Sequence, residues 1–226
     1  MRCGVHATAS RVILMATSSF LDGMQFFRRF IGNPRAVGAL WPSSNQLAEE
    51  MVRDLALRPG DLVIEYGPGT GALTSAIAAR LAMTPGACYL GIEQDSGFCR
   101  RLRQRFPRLD FADDRVENVQ ALCEERRLPA PRAILSGLPL VLMPTLRDIV
   151  LEAERVLMPG GEFRQFSYLL SWPTPRAHEL RRLMRETFAA SSCSALVWRN
   201  LPPAWVLKGR KALVGEAIAR RSGSCP

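Results

Sequence analysis

A doubly wound α/β fold is what the sequence predicts: a mostly parallel seven-stranded sheet, helices on both of its faces, and additional helices at the N-terminus. Three observations predict it. Beyond Gly60, short apolar runs of strand length alternate with segments of helical period. A glycine-rich turn, Gly67-Pro68-Gly69-Thr70-Gly71, joins the first of those runs to the helix that follows it. Near the end of the chain two apolar runs succeed each other with no helix between them, which calls for one antiparallel strand at that edge.

The elements follow in order. Residues 1–16 carry no pattern and are expected to be flexible. Phe20, Met24, Phe27 and Ile31 then recur at helical spacing, with Phe26 and Phe30 widening the stripe and Arg28 and Arg29 beside it. Asn33-Pro34 breaks that helix. Ser43 or Ser44 can cap a second helix over 46–57, which Arg58-Pro59-Gly60 ends. A strand over 62–66 enters the glycine turn and a helix over 72–83 leaves it. Further strand–helix pairs are expected at 88–92 and 96–106, at 109–112 and 116–127, and at 133–136 and 145–157. Met158-Pro159-Gly160-Gly161 turns into a strand over 162–168, then a helix over 175–188. Strands over 192–199 and 204–208, joined through Asn200-Leu201-Pro202, complete the sheet, and a short basic helix near 212–221 closes the chain. The expected organisation is a flexible segment at 1–16, N-terminal helices at 17–58, a ligand-binding domain at 59–210 and a basic tail at 211–226.

Composition narrows the function classes. The 226 residues are 47% apolar and 23% charged, which excludes disordered and low-complexity chains. Lys and Arg number 30 against 21 Asp and Glu, and the resulting +9 favours an anionic partner, nucleic acid or membrane surface. Cys3, Cys88, Cys99, Cys123, Cys193 and Cys225 are scattered, with no metal-type spacing to His6 or His178, so no metal site is expected. The longest charge-free apolar segment, 133–146, is interrupted by Pro139 and Pro144 and falls short of the roughly 20 residues a membrane helix needs. The apolar run at 12–16 is too short for a signal-peptide core of about 7–15 residues. A cytoplasmic protein that touches a membrane without crossing it fits these facts.

The chemistry concentrates around Glu65-Tyr66-Gly67-Pro68-Gly69-Thr70-Gly71. Alternate glycines let the backbone turn sharply and approach a ligand, and the next helix aims its N-terminal amides at an anionic group. The second strand ends in Glu93-Gln94-Asp95, where a carboxylate can accept both hydroxyls of a ribose. The third ends in Asp113-Asp114, where one can accept from an adenine amino group, and the fourth in Ser136-Gly137-Leu138-Pro139. The same acids can equally serve as helix caps. Ligands of open α/β sheets bind at the carboxyl ends of the strands, where all these groups gather.

These residues resemble the S-adenosylmethionine-dependent methyltransferases of the Rossmann-like class, and within it both the rRNA adenine dimethyltransferases and the bacterial phospholipid N-methyltransferases. Residues 26–30, 33–39 and 41–44, with Ser136-Gly137-Leu138-Pro139-Leu140 and Gln165-Phe166-Ser167-Tyr168, are similar to the phospholipid group. The resemblance implies an S-adenosyl-L-methionine cofactor held by Glu65, Tyr66, Gly67, Gly69, Gly71, Glu93, Gln94, Asp113, Asp114 and Ser136. It implies substrate or membrane contact at Phe27, Arg28, Arg29, Arg35, Ser43, Ser44, Leu138 and Pro139. Enzymes that methylate adenine present Asn or Asp, then x-Pro, then an aromatic that stacks on the base; Gly137 and Leu140 occupy those places here. The implied reaction is stepwise methylation of phosphatidylethanolamine and its mono- and dimethyl forms towards phosphatidylcholine. An rRNA adenine N6-dimethyltransferase and a non-catalytic membrane-surface protein stay open beside it. Tyr168, at the end of the fifth strand, is the candidate for positioning the amine. The 20–31 stripe with its arginines reads as an interfacial helix or as a lid, and Arg176, Arg181, Arg182 and Arg185 as a solvated face or a lipid contact. The implied partner is a phospholipid at the inner face of the cell membrane, with no nucleic acid and no metal, and the chain is expected to be monomeric.

Overall fold

The computed structural model describes residues 44–200 and 202–217. The stripe at 20–31, Phe27, Arg28, Arg29, Arg35 and Ser43, and the chain beyond residue 217 lie outside the described residues. In chain order the elements are α1 (Ser44–Val52), β1 (Leu62–Tyr66), α2 (Ala72–Ala82), β2 (Cys88–Glu93), α3 (Ser96–Arg105), β3 (Asp110–Asp113), α4 (Val119–Glu125), β4 (Ala133–Ser136), α5 (Leu146–Val156), β5 (Glu162–Tyr168), α6 (Pro175–Thr187), β6 (Ala190–Cys193) and β7 (Ala204–Arg210). The strands form one seven-stranded sheet in the order β3-β2-β1-β4-β5-β7-β6. β1 to β5 run parallel, and β7 is antiparallel to both its neighbours. The one antiparallel strand is thus not the outermost: β7 inserts between β5 and the edge strand β6.

Each face of the sheet buries its own core, because successive side chains of a strand point to opposite faces. Leu62, Ile64, Leu90, Ile92, Ile134 and Phe163 pack against Val119, Ile149, Val150, Leu180 and Leu183 of α4, α5 and α6. Val63, Tyr89, Phe111, Ala133 and Leu135 pack against Leu47, Met51, Ile77, Cys99 and Leu102 of α1, α2 and α3. Central strands buried on both faces read as continuous apolar runs, which is why their bounds agree with expectation to within a residue or so.

Three elements differ from the sequence reading. The helix expected over 46–57 stops at Val52: Asp54 takes a left-handed φ of 58°, and the buried Arg164 guanidinium caps the helix end, donating from Nη1 to the carbonyls of Met51 (3.0 Å) and Arg53 (2.5 Å). The helix expected over 116–127 begins as a 3-10 turn, Val116–Asn118, and α4 proper ends at Glu125, before Arg127 with φ 53°. The strand expected over 192–199 is β6, four exposed residues from Ala190 to Cys193. The apolar run that suggested it, Ala195-Leu196-Val197-Trp198, makes only an isolated bridge from Val197 to Ala204 and leaves Trp198 69% exposed.

Candidate active site

The strand order reverses between β1 and β4, and the residues just beyond the two strand ends converge there. Gly67 follows β1 with φ 65°; its amide donates to the Ile92 carbonyl (3.0 Å), and a Cβ on it would stand 2.4 Å from Leu138 Cδ2. Gly137 follows β4 and donates to the Tyr66 carbonyl (2.8 Å), where a Cβ would meet the Gly67 carbonyl oxygen at 2.8 Å. A Cβ at Gly137 would meet backbone and force the two loops apart, whereas one at Gly67 would displace the Leu138 side chain. Gly69 has φ 55°, yet a Cβ there would meet nothing nearer than 3.9 Å, so its conformation requires glycine while the space before it stays open. Gly71, with φ 83°, starts α2, and Arg105 of α3 holds the turn from outside through the Thr70 carbonyl (2.9 Å).

A small cleft lies against these loops, walled by Gly67, Ile92, Glu93, Gln94, Asp114, Arg115, Val116, Glu117, Leu138 and Met143. Glu93 is 8% exposed; its Oε2 accepts from the Gly69 amide (2.9 Å) and its Oε1 from the Asp95 amide (3.0 Å). A carboxylate offers about four lone-pair sites, so acceptor capacity for two hydroxyls remains. The cap of α3 is Asp95, which accepts from the Phe98 amide (2.8 Å), leaving Glu93 to the turn and the cleft. Asp114, rather than the exposed Asp113, borders the cleft, and its Oδ1 accepts from the Arg115 amide and from Asn118 Nδ2, both at 2.7 Å.

Other expected site residues lie elsewhere. Glu65 and Tyr66 are fully buried and bring no side chain to the cleft wall, since they point to opposite faces of the sheet. Glu65 Oε2 accepts from Thr74 Oγ1 (2.8 Å) and the Tyr89 hydroxyl (2.5 Å), Oε1 has no partner among the described residues, and burial raises the pKa to about 7. Tyr66 sits in the core between the sheet and α5, and burial pushes its hydroxyl well above its ordinary range. Ser136 is buried and accepts from the Leu138 amide (3.3 Å), shaping the loop after β4. Gln165 steadies that loop, donating from Nε2 to the Leu138 carbonyl (2.9 Å). Tyr168 ends β5 on the α1 side of the sheet, edge-on to Phe166 with ring centroids 5.2 Å apart, and burial raises its hydroxyl to about 12. Ser44 opens α1. Ile92, Arg115, Val116, Glu117 and Met143 are cleft residues that the sequence reading missed; the signal for Arg115 to Glu117 is Val116, a lone apolar residue in the polar run Asp113-Asp114-Arg115-Val116-Glu117-Asn118. No group of residues suited to a metal ion occurs among the described residues.

The sheet order, the glycine turn and the acid at the end of β2 define a class: this is a Rossmann-like methyltransferase that uses S-adenosylmethionine. The fold recurs in the 16S rRNA N2 G1207 methyltransferase of Thermus thermophilus, solved with AdoMet and guanosine (TM-score 0.55, 23% identity, 78% of this chain and 45% of that one). It recurs also in an S-adenosylmethionine-dependent O-methyltransferase of Thermotoga maritima (TM-score 0.55, 15% identity, 81% and 71%). No family model matches the chain. The ornithine lipid N-methyltransferase of Singulisphaera acidiphila is 31% identical over 189 residues, 81% of this chain and 93% of that protein, and the chain belongs to its family. The ribosomal RNA small subunit methyltransferase A of a Synechococcus strain is 30% identical over 126 residues, 54% of this chain and 44% of that protein.

Proposed function

We propose that this protein methylates the amine of a lipid head group, with phosphatidylethanolamine and its mono- and dimethyl forms as acceptors on the way to phosphatidylcholine. The observation that carries the lipid reading is the near full-length identity with a lipid N-methyltransferase, against a match to the rRNA enzymes that reaches about half of this chain. The loop after β4 supports it: Gly137, Leu138, Pro139 and Leu140 offer neither a side-chain acceptor for a planar amine nor a ring to stack on a base.

In this reading Glu93 accepts the ribose hydroxyls with its remaining lone pairs, and Asp114 faces the adenine. Gly67, Gly69 and Gly71 let the turn approach the cofactor, and Gln94 borders it. When bound, S-adenosylmethionine supplies a sulfonium methyl that is reactive without further activation. The chain's task is alignment and a dry pocket. An aliphatic amine is mostly protonated at neutral pH, and the apolar wall formed by Leu138 and Met143 disfavours the ammonium form. Tyr168, with its hydroxyl at about 12, keeps its proton at neutral pH and is no base; its part in this reading is to position the amine from beside the cleft, whose wall it does not form.

Transfer of radiolabelled methyl groups by the full chain to phosphatidylethanolamine, to an ornithine lipid and to 16S rRNA tests the proposal. Label is expected in phosphatidylethanolamine. Label in the ornithine lipid alone replaces the head group and keeps the reaction; label in rRNA alone overturns the proposal, and label in none favours the non-catalytic alternative.

A further inference from the structure

Two loops leave the sheet at the same edge as the cleft. β5 runs parallel to β1 and β4, so the 3-10 turn Leu169–Ser171 that follows it emerges at their carboxyl ends. β7 begins there too, because Ala204 pairs with Tyr168, and the connection from β6 therefore arrives at this edge. The loops are fastened together. The Leu169 amide donates to the Pro203 carbonyl (2.7 Å), the rings of Trp172 and Trp205 lie 4.1 Å apart, and the Arg181 guanidinium stands 4.0 Å over Trp172 while donating to its carbonyl (3.0 Å). Asn200 Nδ2 braces the second loop on the Pro202 carbonyl (2.7 Å).

On this scaffold Leu170 is 64% exposed and Trp198 69%. No Asp or Glu occurs from residue 163 to 178, nor from residue 187 to 215, the stretches that carry these two loops, and Arg199 stands exposed next to Trp198; the acids of this edge, Glu93, Asp114 and Glu117, line the cleft after β2 and β3.

We infer that these two loops form a docking surface for an anionic lipid bilayer, Trp198 and Leu170 entering the interface and Arg199 pairing with lipid phosphates. Indole rings favour the head-group level, and each basic residue adds attraction to an anionic surface. With no carboxylate in either loop, the loops themselves do not repel an anionic surface. A single-stranded nucleic acid could use Trp198 and Arg199 for stacking, but it has no use for an exposed leucine. The inference rests on the lipid reading and adds a seat from which a head group reaches the cleft without its acyl chains leaving the bilayer.

The full chain, its Leu170→Ser/Trp198→Ser variant and its Arg199→Ala variant are floated with vesicles of mixed phosphatidylglycerol and phosphatidylcholine. Partition is expected to weaken on the order of tenfold for the double variant and about fivefold for Arg199→Ala. Calorimetric affinity for S-adenosylmethionine and methyl transfer to short-chain, micelle-dispersed phosphatidylethanolamine are expected unchanged. Quenching of tryptophan fluorescence by brominated lipid gives a second readout in the conservative Trp198→Phe variant, which is expected to lose most of it. Wild-type partition in the double variant, or undiminished quenching in Trp198→Phe, overturns the surface, as does a loss confined to binding of a single-stranded RNA oligonucleotide. If label still enters lipid in any of those cases, only the docking surface falls. Label entering RNA in place of lipid refutes the substrate reading by itself.

Discussion

At the residue scale Glu65 carries the most unusual electrostatics. A carboxyl sealed beneath the glycine turn, with one oxygen holding Thr74 and Tyr89 and the other without a described partner, has its pKa raised from 4.5 to about 7, chiefly by burial. The folded state therefore binds this proton more tightly than the unfolded chain. The stability tied to it is complete below pH 4.5 and declines as the pH rises towards 7, by about 3 kcal/mol in all. Glu65→Gln, which cannot ionise, is expected to lose that decline, so urea midpoints of variant and wild type diverge between pH 4.5 and 7; parallel profiles would refute the shift. The position of Glu93 at the cleft was legible in the sequence, because it ends a strand beside the glycine turn at the carboxyl edge of the sheet. The placement of Tyr66 was not. Alternation along β1 sends Glu65 and Tyr66 to opposite faces, and nothing in a run buried on both faces says which face meets the ligand.

At the element scale one side chain ties the sheet to the helix that precedes it. Arg164 lies in β5 with 1% exposure; its Nε and Nη2 donate to Glu162 Oε2 at 2.9 and 2.7 Å, while its Nη1 caps α1. Replacing it with methionine leaves the Met51 and Arg53 carbonyls and the Glu162 carboxylate without their donor, at a cost of about 3 kcal/mol. For a chain of this size the melting temperature should fall by roughly 6–12 °C, read by calorimetry; a change within a degree or two would mean that water replaces the guanidinium. Glu162→Gln should destabilise as well, because it keeps one acceptor oxygen but leaves the buried guanidinium without its counter-charge. No local pattern announces the capping role of Arg164, since the two carbonyls that it caps lie more than a hundred residues away in sequence. The same non-locality explains β6. The polar Ala190-Ser191-Ser192-Cys193 pairs because β7 presents an open edge to it, and a short polar edge strand resists pairing with other chains. Apolar patterning pointed instead to the run ending at Trp198.

On the scale of the whole molecule, a ligand that binds only the folded state stabilises it by mass action. The cleft is assembled by loops from both sides of the strand-order reversal: Gly67 after β1, Glu93 and Gln94 at the end of β2, Asp114 after β3 and Leu138 after β4. Occupying it should therefore stabilise the sheet as a unit rather than one loop. At a hundredfold excess of S-adenosylmethionine over its dissociation constant the gain is about 2.7 kcal/mol, equivalent to roughly 5–10 °C in melting temperature for a chain of this length. Glu93→Ala separates the cofactor role from the structural one. Its loss removes acceptors from the Gly69 and Asp95 amides, a cost of about 1–3 kcal/mol, and on the proposed reading also removes the carboxylate that would accept the ribose hydroxyls. The variant is expected to melt cooperatively a few degrees lower, and to show no further rise with S-adenosylmethionine at concentrations that saturate the wild type. A wild-type shift in Glu93→Ala would place the ribose elsewhere, and a shift that remains in the Leu170→Ser/Trp198→Ser variant would show that the cleft and the loops at its edge are energetically separate.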